Sequence, residues 1–471
     1  MKGGIVKLID INDYINPGQS CVKSLVESVN NNIGKPIKKI TLDDCLSCTG
    51  CITSSETLLV NNCSLENHFK LLNENYKSEN NIKLSIISYQ SLESLLIIYK
   101  QIKNIKDNIT DFDYYNDITN IIGEILNIDY IIPLNDFILF TLYLCYKEFL
   151  EKKTKKELGG IICSECPGWV CYAEKKIGKI SFPYMSEIKS PHEISSIIIK
   201  ELFMKYFGNR IDINKDLYIC SVMSCFDKKI EPIKYKTGIN TVISTIELEE
   251  RFTNYMKEKN LSSIPNKIIN INLLKNCLKE AKNLKEMKDL INLNLNNNKN
   301  NINISLYNFP FKEYFSSNYY IEFFIYMIMK DKPQCYIERK DGKNIDSKEI
   351  IIYSDETKKE LLFKFLISYG LRNIQNIVRM IKLKKNQYDY VEMMACPGGC
   401  INGAGQIRTE KSREEIFNDI KKGFDNILSE NNSIMKSINN ISQIVEELEI
   451  KKNLFFQSFK EADFSKSDFD W

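Results

Sequence analysis

Histidine is nearly missing from this chain: there are two in 471 residues, His68 and His192. Histidine-rich zinc or copper centres are thereby excluded, and thiolate is the main metal ligand left. No run of about 18 or more apolar residues occurs, so no membrane span is expected. The opening segment MKGGIVKLIDINDY has no uninterrupted apolar stretch of the kind a secretory signal needs. Charge is also unremarkable: 64 basic residues against 61 acidic give a net +3, too near balance to argue for nucleic acid or an anionic membrane as partner. No internal repeat is evident. The expected compartment is therefore a reducing one, the cytosol, where disulfides are rare. With 43% apolar and 27% charged residues the chain reads as ordinary globular protein, long enough for two or three domains with substantial cores.

What the chain does have is cysteine, fifteen in all. In a reducing compartment clustered cysteines point to metal, and scattered ones act mostly as small core hydrophobes. One set is Cys21 with Cys45, Cys48 and Cys51. Three thiols in a C-x2-C-x2-C run favour an iron–sulfur cluster over a zinc knot, which normally pairs two C-x2-C units. Spacing alone leaves Cys63 as a rival to Cys21 for the fourth ligand. The other set is Cys166 in CSECPGW, Cys225 in SVMSCFDKK, and Cys396 and Cys400 in MMACPGGC, spread over more than two hundred residues. Each lies where an apolar run breaks into a turn, and ligands so scattered need a preformed globular frame. Gly398, Gly399, Gly403 and Gly405 let the backbone approach a cluster and aim amide N–H groups at its sulfurs. Four thiolates is the usual ligation of a 4Fe-4S cluster. Cys163 and Cys220 sit inside apolar strand runs and read as core. Met223 and Met394 flank the second set and either pack on it or fill core. Lys228 either offers a positive charge near the thiolates or, as a Lys pair after a strand more often does, belongs to a solvated loop, and His192 reads as a structural or surface residue.

Strand-like runs recur at LSIIS, GGIIC, DLYICSVMS and INTVIST, with helical periodicity between them, as in DFILFTLYLCYKEFLEKK. That alternation predicts an α/β layer with parallel strands. Residues 1–83, polar and cysteine-bearing, read as a small cluster-organised module, and 84–290 as a first α/β lobe. The Asn-rich stretch 291–304 reads as a flexible insertion or linker. A second lobe, 305–459, holds the helix candidates YIEFFIYMIMK and GLRNIQNIVRMIKLKK, the strand YDYVEMMA leading into CPGGC, and further helices. Residues 460–471 form an acidic tail.

Taken together, CPGW, SVM-x-C-x-x-KK, KSP and MACPGGC-x-x-G-x-GQ resemble the iron-only hydrogenase superfamily over roughly residues 84 to 410. The resemblance implies the two-lobed hydrogenase-like α/β fold preceded by a small iron–sulfur module. Three positions depart from the hydrogenase pattern. Glu165 stands where the first of two adjacent cysteines serves as proton relay, Ser224 replaces a proline, and Ala404 replaces the central glycine of GGGQ. CFDKKIE, CPGWVCYAEK, GLRNIQNIV and LDDCLSCTGCITSSE, the last after the solitary Cys21, are similar instead to the eukaryotic hydrogenase-like proteins of the cytosolic iron–sulfur assembly (CIA) machinery, the Nar and nuclear prelamin A recognition factor-like family.

That resemblance implies two 4Fe-4S clusters, one on Cys21, Cys45, Cys48 and Cys51 and one on Cys166, Cys225, Cys396 and Cys400. It implies an adaptor without catalytic residues or hydrogenase activity, linking early scaffold proteins to the late CIA targeting complex for delivery to apo cytosolic and nuclear proteins. It places the chain in the cytosol and leaves the nucleus open as a second location. Phe469, Asp470 and Trp471 are expected to form a docking peptide for the targeting complex. An exposed tryptophan is a large anchor in an otherwise polar tail, and such adaptors and clients often carry a hydrophobic, acidic, Trp tripeptide there, although Phe469 departs from the usual aliphatic residue. The competing expectations are an iron-only hydrogenase or other redox enzyme, and a zinc-stabilised interaction protein.

Overall fold

The computed structural model of the protein describes residues 63–105, 112–154, 160–258, 264–297, 317, 319–342, 344–407 and 432–460. Its frame is a pair of sheets, one of four strands and one of five. The first is built from β1 (Ile82–Ile87), β2 (Tyr130–Pro133), β4 (Leu217–Met223) and β5 (Thr241–Ser244), in the order β2-β1-β4-β5 and parallel throughout. Strands covered on both faces need no polar alternation, so β2, β4 and β5 are buried along their whole length. The second sheet runs β3-β9-β8-β7-β6, with β3 (Ile161–Ile162), β6 (Tyr336–Asp341), β7 (Ser347–Tyr353), β8 (Leu361–Tyr369) and β9 (Tyr390–Met394). Strands β3, β9 and β8 are parallel, and β8-β7-β6 is an antiparallel meander. The parallel α/β layer and the strands in LSIIS, GGIIC, DLYICSVMS, INTVIST and YDYVEMMA are therefore present. The short strand in GGIIC pairs with β9 of the second sheet, although it lies between strands of the first in sequence.

Helices α1 (Leu65–Asn75), α2 (Tyr89–Lys103), α3 (Phe112–Ile125), α4 (Asn135–Thr154), α5 (Pro167–Tyr172), α6 (Pro191–Phe207), α7 (Ile230–Tyr235) and α8 (Thr245–Glu258) accompany the first half of the chain. Helices α9 (Ile271–Glu280), α10 (Leu284–Asn297), α11 (Tyr320–Asp331), α12 (Leu371–Lys382) and α13 (Asn432–Glu447) accompany the second. The Ser-Pro of KSP starts α6: Ser190 caps it, Pro191 occupies its first turn, and Glu193 completes a capping box. Helix α1 is pinned by the buried His68, whose ring lies 2.7 Å from the Tyr218 hydroxyl and 2.9 Å from the Leu126 carbonyl. Burial holds that imidazole neutral, with its pKa lowered to about 4. The Asn-rich stretch expected as a flexible insertion is ordered through Asn297 in α10, because Met287, Ile291 and Leu295 recur every fourth residue and are buried. Residues 298–304 lie outside the described residues, as does most of the expected N-terminal module.

Near its described end the chain crosses the loop before α6 as a strap. Lys189 N–H donates to the Phe455 carbonyl at 2.9 Å and Gln457 N–H to the Glu187 carbonyl at 2.7 Å. Lys460 N–H reaches the buried carboxylate of Glu174 at 3.3 Å, on the π-turn Ala173–Ile177 that continues α5. Among the described residues no helix is long and apolar enough to cross a membrane.

Helix α4 is buried almost all round, and its Phe149 sits at the centre of the core beneath the second sheet. Ring centroids of Phe324, Phe363 and Phe365 lie 5.4, 5.3 and 5.6 Å from it. Aromatic packing of that density leaves a cavity when truncated. Phe149→Ala should therefore cost about 3–5 kcal/mol, measured by chemical denaturation, with no change in the cysteine chemistry described below.

Candidate metal centre

Three of the four scattered cysteines are delivered by strand ends. Cys166 follows β3 and caps α5, Cys225 comes two residues after β4, and Cys396 two residues after β9. Because β3 and β9 are hydrogen-bonded neighbours, their loops emerge side by side, and Ala395 N–H points at the Cys166 sulfur at 3.4 Å. The β4 loop arrives from the other sheet, and Asp227 N–H points at the Cys225 sulfur at 3.3 Å. The loops can approach because Gly168 has no side chain. A Cβ there would lie 2.5 Å from Asp227 Oδ2 and 3.2 Å from the Ala395 methyl, so all three cysteine-bearing segments share that point.

Cys400 is brought round by a tight turn in which Gly398 and Gly399 have φ of 74° and 78°, a conformation that other residues adopt only with strain. The turn is fastened by Gly398 N–H to Asp346 Oδ1 at 2.6 Å and Cys400 N–H to Ser317 Oγ at 3.2 Å. Beyond it, Gly405 N–H donates to the Ser224 carbonyl at 3.1 Å, and a Cβ on Gly403 would lie 2.2 Å from that same oxygen. The glycine-rich segment thus lies backbone to backbone on the Cys225 loop.

The four thiols form one electrostatic group. A hydrogen bond with Cys396 and burial push the Cys225 thiol well above its ordinary pKa. Burial, then Cys225 and Asp227, push Cys166 up to about 12, and burial, then Cys166, raises Cys400. Four neighbouring thiolates would require compensating positive charge, which a set of iron ions would supply. Cys166 is buried, whereas Cys225, Cys396 and Cys400 are half-buried as residues. Met394 lies against the group, its sulfur 3.9 Å from that of Cys400. The donor set is all thiol, served by backbone N–H groups and glycine turns, and so fits a four-iron cube. Among the described residues no three Cys, His, Asp or Glu side chains converge as around a single ion, and none of the eleven described cysteines is in a disulfide.

Cys163 and Cys220 are in the core, and the Cys163 sulfur accepts the Glu165 N–H at 3.4 Å. Cys63 is buried beside Lys229 and the backbone of Val242. Cys21, Cys45, Cys48 and Cys51, like Phe469, Asp470 and Trp471, lie outside the described residues.

The surroundings of Glu165 depart from the sequence reading. Lys228, expected in a solvated loop, is buried, and its ammonium lies 3.0 Å from Glu165 Oε1 and 2.8 Å from Glu231 Oε1. These two carboxylates raise the lysine's pKa against the opposing effect of burial. Tyr320 donates its hydroxyl to Glu165 Oε2 at 3.0 Å. His192 is fully buried between Glu231 Oε2 and Ser221 Oγ, 2.8 Å from each, and desolvation lowers its pKa. Glu231 and Tyr320 escaped sequence reasoning because nothing in IEPIKY or YIEFF marks either as facing a cysteine loop.

Comparison with known proteins bears on the whole assembly. Among curated proteins the chain is 28% identical over 480 residues to the probable cytosolic Fe-S cluster assembly factor CG17683 of Drosophila melanogaster, covering 92% of this chain and 91% of that one. It is 29% identical to the corresponding factor AGAP009023 of Anopheles gambiae, over 87% and 85% of the two chains. Among solved structures it superposes on a variant of the [FeFe]-hydrogenase HydA1 from Chlamydomonas reinhardtii with a TM-score of 0.57 and 15% identity, covering 84% of this chain and 98% of that one. Residues 115–404, more than half the chain, match the family described as iron only hydrogenase large subunit, C-terminal domain. With the two-sheet frame, the strand-end cysteines and this match in agreement, the chain belongs to that hydrogenase family.

Proposed function

We propose that the protein is a non-catalytic component of cytosolic iron–sulfur protein assembly that carries two 4Fe-4S clusters and links the early scaffold to the late targeting complex. The observation that carries this reading is the convergence of Cys166, Cys225, Cys396 and Cys400 in a chain whose near full-length relatives are named cytosolic Fe-S cluster assembly factors. Their sulfurs would hold the second cluster, and Cys21, Cys45, Cys48 and Cys51 the first. A bound cluster supplies one-electron chemistry and a cargo of iron and sulfide. The chain's own residues do the rest. The N–H groups of Ala395 and Asp227 stabilise sulfur charge, the 398–399 turn sets the position of Cys400, and the buried Met223 and Met394 exclude water from one side.

The hydrogenase reading finds less support. Where the hydrogenase pattern has a relay thiol this chain has a carboxylate, and that carboxylate is already engaged on both oxygens by Lys228 and Tyr320. Cytosolic residence accords with the relatives' names, with the nucleus a further location for delivery. Docking to the targeting complex is assigned to Phe469, Asp470 and Trp471, because a tryptophan in so polar a stretch is an anchor without an evident partner in its own sequence neighbourhood.

Anaerobic reconstitution should give about eight irons per chain by colorimetric iron and sulfide assay. Cys400→Ser should lose half of them and lower thermal stability more than Cys48→Ser does, because the second set joins remote segments. A chain that takes up zinc, or only one cluster, contradicts the two-cluster proposal. Supplied with the diiron cofactor by maturation enzymes, the protein should evolve no hydrogen above a control holding clusters alone, by gas chromatography. Trp471→Ala should leave iron content and melting temperature unchanged while abolishing pull-down of the targeting complex; undiminished capture would remove the tail from the proposal.

A further inference from the structure

The ammonium of Lys228 has three N–H bonds and three acceptors. It reaches Glu231 Oε1 at 2.8 Å, Glu165 Oε1 at 3.0 Å and the backbone carbonyl of Glu165 at 3.1 Å. Two of these acceptors belong to the residue immediately before Cys166, while the lysine itself stands three residues after Cys225. The link therefore crosses from the four-stranded sheet, which delivers Cys225, to the five-stranded sheet, which delivers Cys166. Both ends are anchored. Glu231 is fixed by His192 and Ser190, which donates to Oε2 at 3.1 Å, and His192 is tied to Ser221 on β4. Glu165 is fixed by Tyr320 at the start of α11. All five of His192, Glu231, Lys228, Glu165 and Tyr320 are more than nine-tenths buried or at that limit, so the charge-assisted bonds are shielded from competing water.

We propose that Lys228 is a positioning residue for the second cysteine set: by gripping both the backbone and the carboxylate of Glu165 it fixes the separation of Cys166 and Cys225 across the two sheets. With every N–H of Lys228 committed, an anionic ligand gains a partner there only if Glu165 or Glu231 moves. The substitution of a carboxylate for a thiol at position 165 thus replaces a reactive group by a structural one. This rests on the reading that the four cysteines hold a cluster.

The test uses the full-length chain carrying Cys48→Ser, so that signals come from the second set. After reconstitution, Lys228→Met should release iron to a chelator about 10- to 100-fold faster than the parent, with an altered electron paramagnetic resonance spectrum of the reduced cluster. Lys228→Arg and Glu165→Gln, which keep a donor or an acceptor in place, should stay within a few-fold of the parent. If Lys228→Met does not fold, Glu165→Leu against Glu165→Gln makes the same comparison. Parental release and spectrum in the disruptive variants, or equal losses in the conservative ones, overturn the strut. A parent whose second set takes up no iron would instead overturn the cluster reading.

Discussion

Close packing at Gly168 is the constraint on which the rest of the centre depends. One hydrogen atom in place of a side chain lets the loop after β3, the loop after β4 and the loop after β9 occupy the same small volume. Parallel strands make this possible. They emit their loops from one edge, and the pairing of β3 with β9 sets two of those loops a single strand spacing apart. The third comes from a different sheet, so the two sheets must be held in register with one another. The Pro-Gly pairs after Cys166 and Cys396 serve that end in different ways, one opening a helix and the other a left-handed turn.

The electrostatics of the region divide in two. On one side lies a group of thiols in which burial and mutual proximity oppose ionisation, and a thiol must give up its proton to bind iron. On the other lies a compact set of charges that is internally satisfied. Buried ion pairs seldom add net stability, since desolvation offsets their attraction, but removing one partner leaves an uncompensated charge. Such a set is therefore well suited to fixing geometry and poorly suited to exchanging ligands.

Much of the frame was legible because its signals are local. Apolar runs such as DLYICSVM fit a buried parallel strand, and KSP followed by Glu193 fits a helix start. The cysteines were legible as a group because histidine is scarce and because Pro-Gly follows two of the four directly. Other features were hidden for physical reasons. The strand in GGIIC joins the second sheet by long-range pairing that no window around it records. The Asn-rich stretch conceals a core-facing i, i+4 row of Met287, Ile291 and Leu295 beneath a polar composition. Lys228 looks like a surface residue until its two carboxylate partners, one sixty-three residues earlier in the chain, are brought to it. The meander β6-β7-β8 went unassigned, since its outer strand is only half-buried and its residues are mostly polar.

The strap over the loop before α6 has a mechanical consequence. Its bonds to Glu187, Lys189 and Glu174 are attached to the segment that begins at Cys166, so the last described stretch of the chain is fastened to that segment at three points. A change in position at Lys460 thus reaches the segment that carries Cys166 through the hydrogen bonds to Glu174 and Glu187.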